Sequence, residues 1–432
     1  MTTASLLDEL SWRGLLYQHT DALGAALSAG RISAYCGFDP TAQSLHVGNL
    51  VPVMGLVHLQ RAGHRPIALV GGGTGMIGDP SGKSTERQLQ TRETVEANGR
   101  AIGGQLARFL DFTGPAAAIR RDNAEWLMPL GAVEMLRDVG KHFTVNYMLA
   151  KESVKARLDG GISFTEFSYM LLQAYDYLQL HQREGATLQI GGSDQWGNIT
   201  AGIELIRRVT GHEAHALTMP LVTTASGTKF GKTEAGAVFL DPRLTSPYRF
   251  YQFWINADDR DVPRWLRFFT LLDRAAIEAL EREAAEHPER RTAQRALAED
   301  VTTRVHGADV TRTAEEVSGL LFGGADPAAL SVRALEALAE EIPTARVRWT
   351  RTAGSESSSD GRSLALQDAL VTAGLASSKS DARRTLQQGG IAVNGVKAGG
   401  DMTALGPAHC LHDGYVLLRK GARSYALLRL EN

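Results

Sequence analysis

Twice in its first half the chain shows a short run of β-forming apolar residues that stops on glycine and leads into a helical pattern. These runs are Ile67-Ala68-Leu69-Val70 before Gly71, and Thr187-Leu188-Gln189-Ile190 before Gly191. A strand ended this way, followed by a helix that returns the chain to the next strand, predicts βαβ units and a parallel sheet. Ile32 to Cys36 reads as a third strand of the series. In such sheets ligands collect at the carboxyl ends of the strands, so the residues just after each strand are the first candidates for chemistry.

The texture then changes. From about Pro247 to Ile342 the β signal fades, and stretches rich in Ala, Glu, Arg and Leu, such as Ala275 to Ala285, predict helices. The polar run Thr352 to Gly361 reads as a flexible linker. Beyond it, Leu364 to Ala373 and Ser380 to Gln388 look helical, while Ile391 to Val393 before Asn394-Gly395, and Tyr415 to Leu418, look like strands. A length of 432 residues fits two or three domains. The expected division is 1–225, 226–349, a linker at 350–361, and 362–432.

Composition excludes several classes. No apolar run is long enough to cross a bilayer, and Met1 to Leu10 lacks a basic region followed by an apolar stretch, so no membrane partner is expected. Two distant cysteines, Cys36 and Cys410, exclude a disulfide framework or a cysteine-built zinc knuckle and suit a reducing cytoplasm. The formal net charge of -2 conceals an asymmetry. Residues 362–432 hold nine Lys or Arg against five Asp or Glu, a local +4 that leaves -6 for the rest. That is the balance of a phosphate-binding appendage on a nearly neutral protein.

Among the glycine-rich signals, Gly73-Thr74-Gly75-Met76-Ile77-Gly78 satisfies the dinucleotide pattern G-x-G-x-x-G. Asp79-Pro80 follows at once, however, and Pro80 disfavours the helix that pattern requires. Gly82-Lys83-Ser84 ends like a phosphate loop, but the position for its first glycine is Ile77. The stretch Phe38-Asp39-Pro40-Thr41-Ala42, followed by His46-Val47-Gly48-Asn49 at the start of an apolar helix, has the physics of a nucleotide site. Its glycine admits close backbone approach, its helix start carries partial positive charge, and its histidine can donate to phosphate. Far downstream, Lys229-Phe230-Gly231-Lys232-Thr233 places two lysines around a glycine, a cationic clamp suited to a departing pyrophosphate. Taken singly, each also reads as a surface histidine or a solvated loop. Ser163 and Glu166 have capping-box spacing, which predicts a helix from Phe164. On it Tyr169, Gln173 and Asp176 share one face, opposite Phe167, Leu171, Ala174 and Leu178. Periodicity alone leaves that polar trio facing either water or a ligand.

The two signatures His46-Val47-Gly48-Asn49 and Lys229-Phe230-Gly231-Lys232-Thr233 resemble those of class I aminoacyl-tRNA synthetases. With Tyr35 to Thr41, Gly78 to Lys83, Ser163 to Tyr169 and Gly191 to Asn198, the chain resembles bacterial tyrosyl-tRNA synthetases over nearly its whole length. The resemblance implies an α/β fold: a Rossmann-like parallel-sheet catalytic domain, a helical domain, and a small α+β RNA-binding module. It implies that Thr41, His46, Lys83, Lys229, Lys232 and Thr233 contact the phosphates of ATP. Cys36, Gly37, Asp39, Gly48, Asn49, Gly192 and Asp194 would surround ribose and adenine. Tyr169, Gln173 and Asp79 would hold the ammonium of L-tyrosine, with Gln195 near its carboxylate and Asp176 and Tyr35 on its phenol. Such a phenol site leaves polar groups unpaired when phenylalanine enters, a discrimination for which this family is the general example. Magnesium is expected with ATP, and no protein-held metal. Asn49 departs from the family pattern, which often has a second histidine there.

Ser380 to Gly395 resembles a small RNA-binding module in which an arginine-bearing helix leads into a Val-Asn-Gly hairpin. Lys379, Arg383 and Arg384 are the candidate phosphate contacts for tRNA(Tyr), and a solvated helix face is the alternative. The family also implies a homodimer, for which the apolar stretch from about Trp126 to Phe164 is the candidate interface. Three competitors stay open at this level: a tryptophanyl-type enzyme, a small-molecule nucleotidyltransferase, and an RNA-binding protein on the same scaffold.

Overall fold

A computed structural model of the chain describes residues 5–81, 88–158, 160–227, 230–233, 236–351, 362–399 and 402–431. The chain forms two compact units, Met1–Ser246 with Phe253–Val305, and Pro247–Gln252 with His306–Asn432.

The first unit is built on a six-stranded sheet of β1 (Gln18–His19), β2 (Ser33–Phe38), β3 (Arg65–Val70), β4 (Ile119–Asp122), β5 (Ala186–Gly192) and β6 (His215–Met219). The order is β1-β6-β5-β2-β3-β4. All pairs are parallel except the edge pair β1–β6. The βαβ expectation is therefore met, with β2 running two residues past its predicted end at Cys36. The chain winds outward in both directions from β2 and β5, so their carboxyl ends flank the crevice where such sheets bind ligands. After β2 a tight turn leads into the helix Leu50–Arg61, which is buried from Leu50 to Leu59 except at Pro52. Its apolar residues run around the whole circumference because it is enclosed by protein, and a one-sided pattern would not serve there.

The helix Phe164–Glu184 begins where expected, with Ser163 Oγ accepting from the Glu166 N–H. Only half the predicted box forms. The Glu166 carboxylate, 1% exposed, is held instead by Arg157 at 2.8 Å, because a buried acid gains more from a cation than from a backbone amide. The hairpin of β7 (Lys232–Thr233) and β8 (Gly236–Ala237) and helices Val262–Phe269 and Arg274–Glu286 belong to this unit, the last covering the predicted Ala275–Ala285.

The second unit joins helices Ala308–Gly323 and Val332–Glu341 to two sheets. Its strands are β9 (Thr344–Arg348), β10 (Thr350–Arg351), β11 (Arg362–Ala365), β12 (Ile391–Val393), β13 (Val396–Lys397), β14 (Ala404–Leu405), β15 (Tyr415–Lys420) and β16 (Ser424–Glu431). The five-stranded sheet runs β13-β12-β15-β16-β9 and the three-stranded sheet β10-β11-β14. Asn394 and Gly395, at φ of 47° and 84°, make the predicted tight turn between β12 and β13. One expectation is corrected: Leu364 and Ala365 lie in β11, and the helix begins only at Leu366, because Leu364 pairs with Leu405. The predicted linker falls on residues 352–361, outside the described set, but its neighbours Arg351 and Arg362 are paired across β10 and β11. Among the described residues no helix is long and apolar enough to cross a membrane.

Candidate active site

At the bottom of the crevice Tyr35 projects from β2, 1% exposed, and its ring meets Tyr177 edge-on at 5.1 Å. Its buried Oη makes no hydrogen bond within the described protein. Asp176, 2% exposed, accepts from the indole Nε1–H of Trp126 at 2.7 Å and from Nδ2 of Asn123 at 2.8 Å. Burial nevertheless pushes its carboxyl up to about 8, the two donors recovering only part of the lost hydration. Burial first, and the charge of Asp176 second, hold the Tyr35 phenol above its ordinary range.

A chain of hydrogen bonds ties this end to the mouth. Asn123 also donates to Thr74 Oγ1 at 2.9 Å and accepts from the Gly73 N–H at 2.7 Å. Thr74 donates to Asp39 Oδ1 at 2.6 Å, and Tyr169 donates to Asp39 Oδ2 at 2.8 Å. Burial, then the charge of Asp39, holds the Tyr169 phenol well above its ordinary range, so it stays a donor. Asp39, expected beside ribose, is thus engaged on both oxygens by Thr74 and Tyr169. Cys36, expected in the same group, is buried with its thiol pushed up to about 12 and offers only a neutral sulfur. Gly37 is exposed next to it.

At the mouth Asp79 accepts from Gln195 Nε2 at 2.7 Å and from the Ser81 N–H at 2.9 Å. Asn198 Nδ2 lies 3.0 Å from Gln173 Oε1 and 3.3 Å from Gln195 Oε1. Two of the predicted amino-acid ligands, Gln173 and Gln195, thus meet at the buried Asn198 amide, and Gln195 ties Asp79 to it. Gly192 ends β5, and Asp194 is exposed in the turn after it. Thr41 is exposed and lines an open cavity of about 190 Å³ with Gly75, Ile77 and Gly78.

His46 caps the helical turn after β2. Its Nδ1 accepts from the Gly48 N–H at 3.0 Å, which leaves the neutral ring's proton on Nε2. A side chain at Gly48 would begin 2.8 Å from His46 Cε1, so the imidazole lies directly on that glycine. Asn49 Oδ1 accepts from the His46 N–H at 3.0 Å, completing a reciprocal cap. The residue that departs from the family pattern therefore fixes the backbone of its neighbour. Of the cationic candidates, Lys83 and Lys229 lie outside the described residues. Lys232 and Thr233 are described as backbone, pairing with Ala237 and Gly236.

Sequence reasoning missed Asn123, Thr74 and Asn198. Asn198 stood inside a quoted motif without a role, whereas nothing local marks Asn123. Trp126, expected to open the interface stretch, is 3% exposed with its N–H on Asp176. Farther along that stretch Val133, Leu136, Val145 and Phe164 are 79%, 61%, 63% and 75% exposed.

In the second unit Lys379 is ion-paired with Asp368 at 2.6 Å and Arg384 with Asp381 at 2.8 Å. Arg383 is exposed and engages no carboxylate among the described residues.

Residues 27–323 match the family model of class I tRNA synthetases (W and Y), and residues 351–428 that of the tyrosine–tRNA ligase SYY-like C-terminal domain. A tyrosine–tRNA ligase of Anaeromyxobacter dehalogenans is 55% identical over 426 residues, 99% of each chain. The chain belongs to the tyrosine–tRNA ligase family. One of Roseiflexus castenholzii is 54% identical across 100% of both chains, so the resemblance read from the motifs extends over the full length. Among solved structures, a C-terminally truncated mitochondrial tyrosyl-tRNA synthetase of Aspergillus nidulans matches with TM-score 0.67 and 30% identity over 74% of this chain and 95% of its own. A tryptophanyl-tRNA synthetase of Encephalitozoon cuniculi shares the fold, at TM-score 0.53 and 14% identity over 76% of this chain and 90% of its own. The α/β fold class and the aminoacyl-tRNA synthetase family are thus established together.

Proposed function

We propose that this chain activates L-tyrosine with ATP to tyrosyl-adenylate and pyrophosphate, then transfers the tyrosyl group to the 3′ end of tRNA(Tyr). The observation that carries the choice of amino acid is the buried pair of Tyr35 and Asp176. A phenol seated between them donates to the carboxylate and accepts from the Tyr35 hydroxyl, and neither phenylalanine nor an unsubstituted ring satisfies both. The opposite end supplies Asp79, Gln173 and Tyr169 for the ammonium, with Gln195 near the carboxylate.

The substrate carboxylate is itself the nucleophile. An oxygen of it attacks the α-phosphorus, a bond forms there, and the bond to pyrophosphate breaks. The protein's contribution is alignment and charge stabilisation. His46 Nε2–H and Thr41 are offered to the phosphates, with Lys83, Lys229, Lys232 and Thr233 as the remaining family-implied contacts. Gly37, Gly48, Asn49, Gly192 and Asp194 surround ribose and adenine in this reading. Magnesium enters with the phosphates of ATP; among the described residues no group of three or more His, Cys, Asp or Glu converges to hold a metal. In the second step the terminal ribose hydroxyl of tRNA attacks the adenylate carbonyl and AMP leaves.

Lys379, Arg383 and Arg384 face the tRNA in this reading, and the exposed apolar residues between Met128 and Phe164 form the contact of a homodimer acting in the cytoplasm. The deciding experiment is amino-acid-dependent exchange of pyrophosphate into ATP with tyrosine, phenylalanine and tryptophan. Exchange supported by tyrosine alone is expected. Equal exchange with tryptophan, or none above the amino-acid-free rate, would sink the proposal.

A further inference from the structure

Between Asp39 and His46 the chain runs as a loop, Pro40 to Leu45, and one helix holds that loop at both ends. Asn98, 4% exposed, donates from Nδ2 to the Pro40 carbonyl at 3.1 Å. Gln105 engages the other end with both atoms of its amide. Its Oε1 accepts from the Leu45 N–H at 2.9 Å, and its Nε2 donates to Ser44 Oγ at 2.9 Å. Both side chains stand on the helix Arg92–Leu106. Seven residues are two helical turns, so they share one face and lie about 10 Å apart along it.

That helix is a fixed reference. Thr91 caps its start, and Val95, Ile102 and Leu106 are buried. Its glycines lie close on the sheet: a Cβ at Gly99 would fall 3.2 Å from Val70 Cγ1 in β3, and one at Gly103 3.3 Å from Arg120 Cδ in β4. Ser44, 4% exposed, carries the hold across the loop. Its Oγ accepts from the Asp241 N–H at 3.1 Å and donates to the Leu45 carbonyl at 2.6 Å. The same carbonyl accepts from the Leu240 N–H at 2.9 Å, and the Val47 N–H donates to the Val238 carbonyl at 2.9 Å. The residue immediately before His46 is therefore bonded at its N–H by Gln105 and at its carbonyl by Ser44 and Leu240.

We infer that Gln105 is a positioning residue for adenylate formation. Its amide fixes Leu45 and, through it, where His46 Nε2–H is presented to the phosphates of ATP. A donor stabilises charge in a transition state only if it is already held where that charge appears. A neutral amide suits the task, because it accepts from a backbone N–H with one atom and donates to a hydroxyl with the other. The inference rests on the phosphate role proposed above for His46.

The test compares pre-steady-state formation of tyrosyl-adenylate in Gln105→Leu, Gln105→Glu, His46→Ala and the Gln105→Leu/His46→Ala double variant, with the tyrosine Kd measured for each. Gln105→Leu keeps the stem, loses both hydrogen bonds, and is expected to slow adenylate formation by about tenfold or more. Its tyrosine Kd should stay within about twofold of the parent's, because Asp79, Gln173 and Asp176 stand on other elements. Gln105→Glu keeps the acceptor for the Leu45 N–H and should recover part of the lost rate. In the His46→Ala background Gln105→Leu should add less than about threefold, since coupled residues act non-additively. Equal slowing in both backgrounds, or none in either, overturns the positioning role. A Gln105→Glu enzyme as slow as Gln105→Leu does so as well. Loss of tyrosine binding in both Gln105 variants also overturns it, by making the clasp a general support of the fold. If His46→Ala alone leaves the rate unchanged, the phosphate role of His46 has failed instead, and the positioning role falls with it.

Discussion

The indole N–H of Trp126 and the carboxylate of Asp176 meet at 2.7 Å, both inside the protein core and 50 residues apart in sequence. Trp126→Phe removes the donor and keeps the ring. Leaving a buried acceptor unsatisfied costs about 1–3 kcal/mol, so the tyrosine KM should rise roughly fivefold to a hundredfold. The preference for tyrosine over phenylalanine should narrow. Pyrophosphate exchange with both amino acids measures it; an unchanged preference would place Trp126 outside the phenol site.

Asp176 also sets a pH dependence. With its carboxyl at about 8 in the folded protein, against an ordinary value of 3.8, the folded state keeps a proton that the unfolded chain has released. Stability from this group is full below the unfolded value and declines as pH rises toward 8. A phenol donating to the carboxylate favours its ionised form, so tyrosine binding near pH 7 should release close to one proton, and affinity should climb up to about pH 8 and then level. Calorimetry in buffers of different ionisation enthalpy reads this directly. Buffer-independent heats would rule the coupling out.

Gly48→Ala places a carbon where the His46 ring now lies, 2.8 Å from Cε1. The ring must move by a fraction of an ångström or more, and misplacement of about 1 Å costs roughly a hundredfold in rate. Adenylate formation should fall accordingly while tyrosine Kd holds. A parallel loss of both would mean that the turn supports the whole pocket.

For tRNA, Arg383→Ala should raise the charging KM and lower the salt slope by about one, as loss of a single phosphate contact does. Lys379→Ala should do less, because its ammonium must first leave Asp368. The reverse ranking would show that Lys379, not Arg383, faces the RNA.

The parallel sheet and its functional ends were legible because strand, glycine turn and helix leave a local signature, as at Val70-Gly71 and Ile190-Gly191. Helical spacing likewise brought Tyr169, Gln173 and Asp176 to one side. It did not show that both sides of that helix are buried: Leu171, Ala174 and Leu178 on one, Tyr169 and Asp176 on the other. The partners that make burial of Asp176 tolerable, Asn123 and Trp126, follow β4, and no local pattern connects them to residue 176. Strand β9 escaped notice because Thr344 to Arg348 buries only Val347, too weak an alternation to read. Leu364 and Ala365 were misread for a related reason, since pairing with distant β14 overrides their helical preference.

Strand β9 lies before the glycine- and serine-rich stretch, yet it pairs in parallel with β16 near the end of the chain. Arg351 and Arg362 face each other across the same stretch. The residues on either side of that stretch therefore belong to one folding unit. A fragment beginning at Arg362 would carry β16 with a raw edge, exposing backbone groups from Leu427 to Glu431 to the first strand that meets them. A fragment begun ahead of Thr344 keeps that edge covered. Conversely, a single cut within residues 352–361 would leave two pieces stitched along β9–β16 and β10–β11, severed in covalent terms but still one body.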